Sequence, residues 1–400
     1  MNVFVVNCGS SSIKYQLFKM ANESVLAKGL LERVGSGDAV LHHAVNGNRY
    51  DRQVSVPDHA VGMRIILDAM IDPQMGGVLK SIDEIEAVGH RVVHGGEKID
   101  HTCLINDEVI RVVRDNFDLA PLHNPPNLAG IEAAMADMPG VPNVAVFDTA
   151  FLSTLPPKAF RYAVPAEWYS KHRVRRYGFH GTSHRYVTLR AAELLGKPLD
   201  QINLITCHLG NGCSMTAVAG GKAVDHSMGM TPLEGLVMGT RSGDIDPAII
   251  FYMGARGLTL DQIDQGLNKK AGLLGLSELS NDMRDLLSAA GGGNDKAALA
   301  IDMFVYRIVK YVGAYYTALP GVDAVVLTGG VGENSLPVRR MIVQQLSRLG
   351  ATADEELNRH TIGGKAGPIT TPRSRLAVWV VPTNEELMIA RDTRELVARG

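Results

Sequence analysis

Apolar and polar positions along the chain follow two rhythms. The first residues set the β rhythm: Val3-Phe4-Val5-Val6 form an apolar run, and after a turn Ile13, Tyr15 and Leu17 alternate with Lys14, Gln16 and Phe18. Period-two alternation predicts a half-buried strand. The stretch "VVNCGSSSIKYQLF" (5–18) therefore reads as a strand, a Gly9-Ser10-Ser11-Ser12 turn and a returning strand. A P-loop instead enters a helix and carries G-x-x-x-x-G-K-[ST], and this stretch does neither. The tip of such a hairpin can still cradle an anion through its backbone N–H groups.

The same grammar returns half a chain later. "LITCHLGNGCSMTAV" (204–218) is an apolar strand, a turn His208-Leu209-Gly210-Asn211-Gly212, and another alternating strand. Two hairpins of one design, each near the start of a half, suggest a duplicated domain with a ligand between the copies. A third strand–glycine element, "DAVVLTGGVGENS" (323–335), has Gly330 and Gly332 spaced as in a dinucleotide fingerprint, but Ser335 stands where the third glycine belongs, which argues against a Rossmann site. A strand, a glycine turn and a helix from Leu336, capped by Asn334 or Ser335, still bring backbone N–H groups toward a nucleotide.

The helical rhythm predicts helices at 58–70, 126–138, 183–195, 277–288, 295–318, 335–349 and 385–398. The last follows Thr383-Asn384, a cap signal, with Glu385 and Glu386 in its first turn. Strands alternating with helices give an α/β class. Four hundred residues exceed one ordinary core, so two domains are expected, with a boundary near 150 ahead of Pro156-Pro157.

Composition then narrows the function. A net charge of −2 argues against a nucleic-acid or membrane-surface partner. The cysteines (Cys8, Cys103, Cys207, Cys213) form no C-x-x-C pair, which fits free thiols in a reducing cytoplasm. The N-terminal apolar run has no basic region before it, against a signal peptide, and no run nears the ~20 residues that span a bilayer.

Several side chains are candidates for chemistry. "AVGHRVVHGGE" (87–97) sets Arg91 beside Gly95-Gly96, where it either clamps an anion or makes an ion pair. "PNVAVFDTAF" (142–151) ends a strand on Asp148, which reads as a Mg²⁺ or base carboxylate or as a turn cap. "RRYGFHGTSHRYV" (175–187) spaces His180 and His184 four apart, but Gly181 and Thr182-Ser183 suggest a turn and cap there. One ligand-facing and one structural histidine then fit better than a zinc pair, which needs a third ligand. In "PLEGLVMGTRSGDIDP" (232–247), Arg241 either neutralises phosphoryl charge or pairs with Asp244 or Asp246. Asp282 and Arg284 read as a solvated helix start. Isolated arginines, Gly/Ser hairpins and strand-end acids, with no nucleophile–base dyad, suit phosphoryl transfer, which needs positioning and charge neutralisation.

These residues sit in an ordered series of motifs: "NCGSSSIKY" (7–15), "GHRVVHGGE" (89–97), "LAPLHNPPN" (119–127), "FDTAF" (147–151), "RRYGFHGTSH" (175–184), "HLGNG" (208–212), "SMGMTPLEGLVMGTRSGDIDP" (227–247), "GGVGENS" (329–335) and "PTNEEL" (382–387). The series resembles the acetokinase family over nearly the whole chain. The resemblance implies two related domains of the actin-like (ribonuclease H-like) ATPase fold with a nucleotide cleft between them. These would be 1–150 plus about 386–400, and 151–385. It implies reversible phosphoryl transfer from ATP to acetate (EC 2.7.2.1) with Mg²⁺ or Mn²⁺, in a cytoplasmic homodimer that engages neither nucleic acid nor membrane. Asn7 and Glu385 match the family's metal positions. Asp148, Arg91, His180 and Arg241 match its catalytic set, Arg91 also binding substrate. Lys14, Ser10, Ser12 and His208, Leu209, Gly210, Asn211, Gly212 match phosphate-binding positions. Asp282, Met283, Arg284 and Gly330, Val331, Gly332, Glu333, Asn334 match the adenosine end. Val93, Leu122, Phe179 and Pro232 match a pocket for the substrate methyl group. A propionate or butyrate kinase, or a non-catalytic nucleotide switch, are the other readings of the same pattern.

Overall fold

A computed structural model describes residues Met1–Arg399. The first strands are β1 (Asn2–Cys8), β2 (Ser12–Lys19), β3 (Ser24–Glu32), β4 (Ser36–Val45), β5 (Asn48–Val56), β6 (Ala87–Val92), β7 (Cys103–Leu104) and β8 (Asn143–Phe147). They form one sheet in the order β5-β4-β3-β2-β1-β6-β8-β7. The remaining strands are β9 (Asn203–Leu209), β10 (Cys213–Ala219), β11 (Lys222–His226), β12 (Ala324–Thr328), β13 (Gly367–Pro368) and β14 (Val378–Val380). They form a second sheet in the order β11-β10-β9-β12-β14-β13.

The two sheets share one plan. In the first, β1 is antiparallel to β2, β2 to β3, and β1 is parallel to β6 and β6 to β8. In the second, β9, β10 and β11 repeat the antiparallel run, and β9, β12 and β14 the parallel one. An antiparallel meander followed by parallel crossover strands, found twice, is the duplicated topology of the actin-like ATPases. The turn residues Gly9 and Gly210 occupy equivalent places, each first in its loop, with Gly9 N donating to Ser12 O (2.8 Å) and Gly210 N to Gly212 O (3.2 Å).

One compact unit combines Met1–Phe151 with the segment that begins at Asn384; the other is Leu152–Thr383. In the first, Ile13, Tyr15 and Leu17 pack with Met63 and Ile66 of the helix His59–Ile71. The helix Glu385–Val397, capped by Asn384 Oδ1 on Leu387 N (3.0 Å), lies against β1, β6 and β8. In the second, the helix Asp295–Ala318 buries Ala300, Phe304, Ile308 and Val312 at helical spacing.

Three local expectations need correction. Phe18 alternates to the face opposite Leu17 but is not exposed: it pairs with Val3 in an unbroken β1–β2 register and is buried on the face that the helix Glu385–Val397 covers. The expected helix 277–288 is broken: Gly272–Ser277 ends at Glu278 (φ 54°), and Asp282 caps a new helix, Met283–Gly291. The expected helix 335–349 runs Leu336–Gln345 and tightens to a 3₁₀ turn over Leu346–Leu349, while the presumed glycine turn is itself a short helix, Gly329–Asn334.

Candidate active site

In the first unit, three parallel neighbours deliver one polar residue each at or just beyond their C-terminal ends, the usual ligand-facing edge of such sheets. Asn7 comes from β1, Arg91 from β6, and Asp148 follows β8. Arg91 Nε and Nη2 donate to Asp148 Oδ1 and Oδ2 (3.0 and 2.5 Å), a bidentate pair, while Nη1 approaches Asn7 Oδ1 at 3.4 Å. Asp148 is 1 % exposed, so the carboxylate is out of water and committed to this arginine. Burial alone would pull the Arg91 pKa down, but the charges of Asp148 and Glu385 outweigh it and hold the guanidinium protonated. Arg91 is thus an ion pair, and that pair also aims it.

Glu385 joins this cluster from the N-terminus of its helix. Burial pushes its pKa up to about 7, with Arg91 and Lys14 pulling down and Asp148 and Glu386 pushing up. Its Oε1 is buried with no hydrogen-bond partner. An orphaned carboxylate oxygen and an amide oxygen, both grouped with Arg91, are the type of donor a hard cation takes. Mg²⁺ takes one or two protein oxygens and keeps waters and phosphate oxygens, so Asn7 and Glu385 fit it. Among the described residues no group of three or more His, Cys, Asp or Glu forms a metal cage. Lys14 stands opposite Asn7 in the β1–β2 register and is exposed. Ser10 is exposed and Ser12 half-buried in the same tip.

The loop after β6 is pinned by amides that sequence reasoning did not single out. Val93 N donates to Asn127 Oδ1 (3.0 Å), and Asn127 Nδ2 donates to Cys8 O (2.7 Å). His94 N and O pair with Asn124 Oδ1 (3.1 Å) and Nδ2 (2.9 Å). The available signal was two asparagines three apart around Pro125-Pro126, one face of a starting helix. Val93 is buried, whereas Leu122 is 63 % exposed.

In the second unit, His180 sits at the start of the helix Gly181–Leu195 in the left-handed region (φ 58°). A non-glycine residue there is strained by ~1–3 kcal/mol and marks a position held for a purpose. Its ring stacks on His208 at 4.4 Å. Arg241 Nη1 donates to Pro232 O (3.0 Å) and lies 3.7 Å from Met238 Sδ. Among the described residues it has no carboxylate partner: Asp244 instead binds Arg307 (3.2 Å) and the Tyr311 hydroxyl (2.9 Å), and Asp246 caps Ala248 N. Burial lowers its pKa, opposed only weakly by Cys213, though a guanidinium stays charged in proteins. A Cβ built on Gly212 would lie 3.5 Å from both His180 Nε2 and Arg241 Nη1, so two donors converge beside a residue without a side chain. The zinc alternative falls away, since both nitrogens of His184 are occupied by Thr206 Oγ1 and Ser214 Oγ at 2.7 Å.

The same unit holds a cavity of about 650 Å³, within the range of small-molecule sites. Gly210, Asn211, Asp282, Met283, Arg284, Gly330, Val331 and Asn334 line it, joined by Asn281, Leu273, Leu287, Leu336 and Pro337, which the motifs did not point to. Leu287 lies one turn beyond Met283, which a helix projection exposes. Leu209 and Gly332 are buried, and Glu333 Oε1 accepts from Thr328 Oγ1, Gly329 N and Thr383 N at 2.9–3.1 Å, holding the backbone together. Phe179 is buried with its N–H on His226 Nε2 (3.2 Å).

A strand-end cluster of arginine, carboxylates and amide, with a nucleoside-sized cavity, on a duplicated actin-like fold, are the parts of an ATP-dependent phosphotransferase. The acetokinase family model matches residues 2–391. The acetate kinase of Thermotoga petrophila is 55 % identical, over 100 % of this chain and 99 % of that one. The crystal structure of Porphyromonas gingivalis acetate kinase superimposes with a TM-score of 0.94 at 47 % identity, covering 99 % of each chain. That of a propionate kinase from Francisella tularensis gives 0.92 at 39 %, again over 99 % of each. The chain belongs to the acetokinase family.

Proposed function

We propose that this chain transfers the γ-phosphoryl group of ATP reversibly to acetate, giving acetyl phosphate and ADP. The carrying observation is the bidentate Arg91–Asp148 pair beside the unpartnered oxygen of Glu385. Acetate is a carboxylate with a pKa near that of a Glu side chain, ~4.3, so at neutral pH it needs no general base. Asp148, already occupied by Arg91, serves as an organiser. Arg91 receives the acetate carboxylate. Arg241 and His180 offset charge on the transferring phosphoryl group. Lys14, the Ser10–Ser12 tip and the 208–212 turn take phosphates, and the cavity around Asn281–Arg284 and Gly330–Asn334 takes the nucleoside. Asn7 and Glu385 would hold Mg²⁺, which when bound neutralises phosphate charge. Val93, β-branched and pinned through Asn127, limits the acid beside it; Leu122, Phe179 and Pro232 are assigned to the methyl group by their match to the family's motifs.

Trapping the acyl phosphate with hydroxylamine tests this reading. We expect hydroxamate from acetate, less from propionate by a factor set by ~1–3 kcal/mol, and none once the divalent cation is chelated. A kcat/KM for propionate above that for acetate, or an Asn7→Ala variant with normal Mg²⁺ dependence, would sink the assignment. Hydroxamate from no short acid would leave a nucleotide switch.

The chain is further proposed to be a cytoplasmic homodimer. Phe251 and Tyr252, on the helix Ala248–Gly254, and Leu260, which starts the helix Leu260–Lys269 packed beside it, are 77, 57 and 76 % exposed, large exposed apolar side chains of the kind self-association covers. Sedimentation should give twice the chain mass and Phe251→Asp should reduce it; a monomeric native chain at micromolar concentration rejects this.

A further inference from the structure

The ring of His180 is held from behind by a hydroxyl. Its Nδ1 lies 2.9 Å from Ser214 Oγ. The same oxygen lies 2.7 Å from His184 Nε2, and His184 Nδ1 lies 2.7 Å from Thr206 Oγ1. Ser214, His184 and Thr206 are wholly buried. Burial drives the His184 pKa well below its ordinary value, with His226 and His208 pushing the same way, so His184 is a neutral ring with one N–H and one lone pair.

Hydrogen-bond bookkeeping then allows two arrangements of this chain. In one, His184 Nδ1–H donates to Thr206, whose hydroxyl turns to Thr216 O (3.4 Å). The Ser214 hydroxyl donates to His184 Nε2, and Ser214 Oγ accepts from His180 Nδ1–H. In the other, every proton moves one place: Thr206 donates to His184 Nδ1, His184 Nε2–H donates to Ser214, and Ser214 donates to His180 Nδ1. The first serves a cationic His180, which also carries Nε2–H, and equally a neutral ring protonated on Nδ1, which carries none. The second serves a neutral His180 whose single proton is on Nε2. Only a hydroxyl at 214 can accept in one case and donate in the other. Charged and titratable groups of this unit beside His180 include His184 on its own helix, His208 from β9 and Arg241.

We propose that Ser214 is a positioning residue whose hydroxyl, relayed from His184 and Thr206, keeps a hydrogen-bond donor at His180 Nε2 in both protonation states of that ring. This rests on the assignment of His180 to the phosphoryl group given above. His180 Nε2 and Arg241 Nη1 each lie 3.5 Å from a Cβ built on Gly212.

Nitrogen-15 histidine NMR of the full chain reads the tautomer directly. Neutral His180, assigned by its loss in His180→Gln, should be the Nε2–H form, and Ser214→Ala should shift it toward Nδ1–H. A native Nδ1–H tautomer, or no shift in Ser214→Ala, overturns the relay. In kinetics, Ser214→Ala should lose roughly tenfold in kcat, the worth of one hydrogen bond to a charged group, at pH values where the same spectra show His180 neutral. The loss should shrink where they show it cationic, the KM for ATP should hold, and Ser214→Thr should restore the rate. A switched tautomer with kcat unchanged at every pH overturns instead the phosphoryl role of His180. Should Ser214→Ala fail to fold, the native tautomer still decides the relay.

Discussion

An Arg241→Ala enzyme should fold normally and transfer phosphoryl groups about 10³–10⁵ times more slowly. The rate loss is that of removing a transition-state guanidinium from a phosphotransferase. The intact fold follows from the partners: among the described residues the Arg241 side chain hydrogen-bonds to the Pro232 carbonyl and the Met238 thioether, so its loss strands no carboxylate there. One freed carbonyl costs ~1–3 kcal/mol, and relief from burying a cation, the cause of its lowered pKa, works the other way. A cation buried without an anion among the described residues is what the proposed role of Arg241 at the phosphoryl group requires. Single-turnover rates with saturating ATP and acetate, beside thermal unfolding, check this. A kcat within tenfold of native would remove Arg241 from the transfer step.

The legible parts of this chain were those written in local period and turn chemistry. Both hairpins could be read because alternation from Ile13 to Leu17 and from Cys213 onward needs no distant information. The strands ending on Asp148 and Thr328 were equally plain. Apolar spacing predicts one helix over 277–288 because it runs through the break, although Asn281-Asp282 is a visible cap. The helices Asp107–Asp115 and Leu260–Lys269 went unread despite caps at Asn106 and Thr259. The candidate site was legible residue by residue but not pair by pair. Arg91 and Asp148 each stood out, each with a bland alternative. Their pairing is made by the parallel register of β6 on β8, which sets Arg91 beside Val146. Arg241 had two nearby aspartates in sequence, and the fold gives Asp244 to Arg307 and Tyr311 instead. Ser214 carried no signal at all: a serine in a strand is ordinary until β10 lays it opposite His208.

Arg91→Ala should behave quite differently from Arg241→Ala, losing stability as well as rate. Asp148 is 1 % exposed and its two oxygens bind Nε and Nη2 of this arginine. Deleting one partner of such a pair leaves a buried charge without compensation, which costs ~3–5 kcal/mol. In a unit of this size that lowers the first unfolding transition by on the order of 10 °C. Glu385 loses a cation as well, since Arg91 is the charge that most lowers its pKa. Adding Asp148→Asn to Arg91→Ala removes the stranded charge and should recover about half of the lost stability, the coupling a double-mutant cycle reads between contacting groups. It should recover none of the activity, because an amide restores neither the guanidinium nor the carboxylate that aims it. Calorimetry and hydroxamate formation on the native, single and double variants separate the two effects. If the double variant is no more stable than Arg91→Ala, Asp148 is not held by this ion pair. If it regains the rate, Arg91 does not receive the substrate carboxylate.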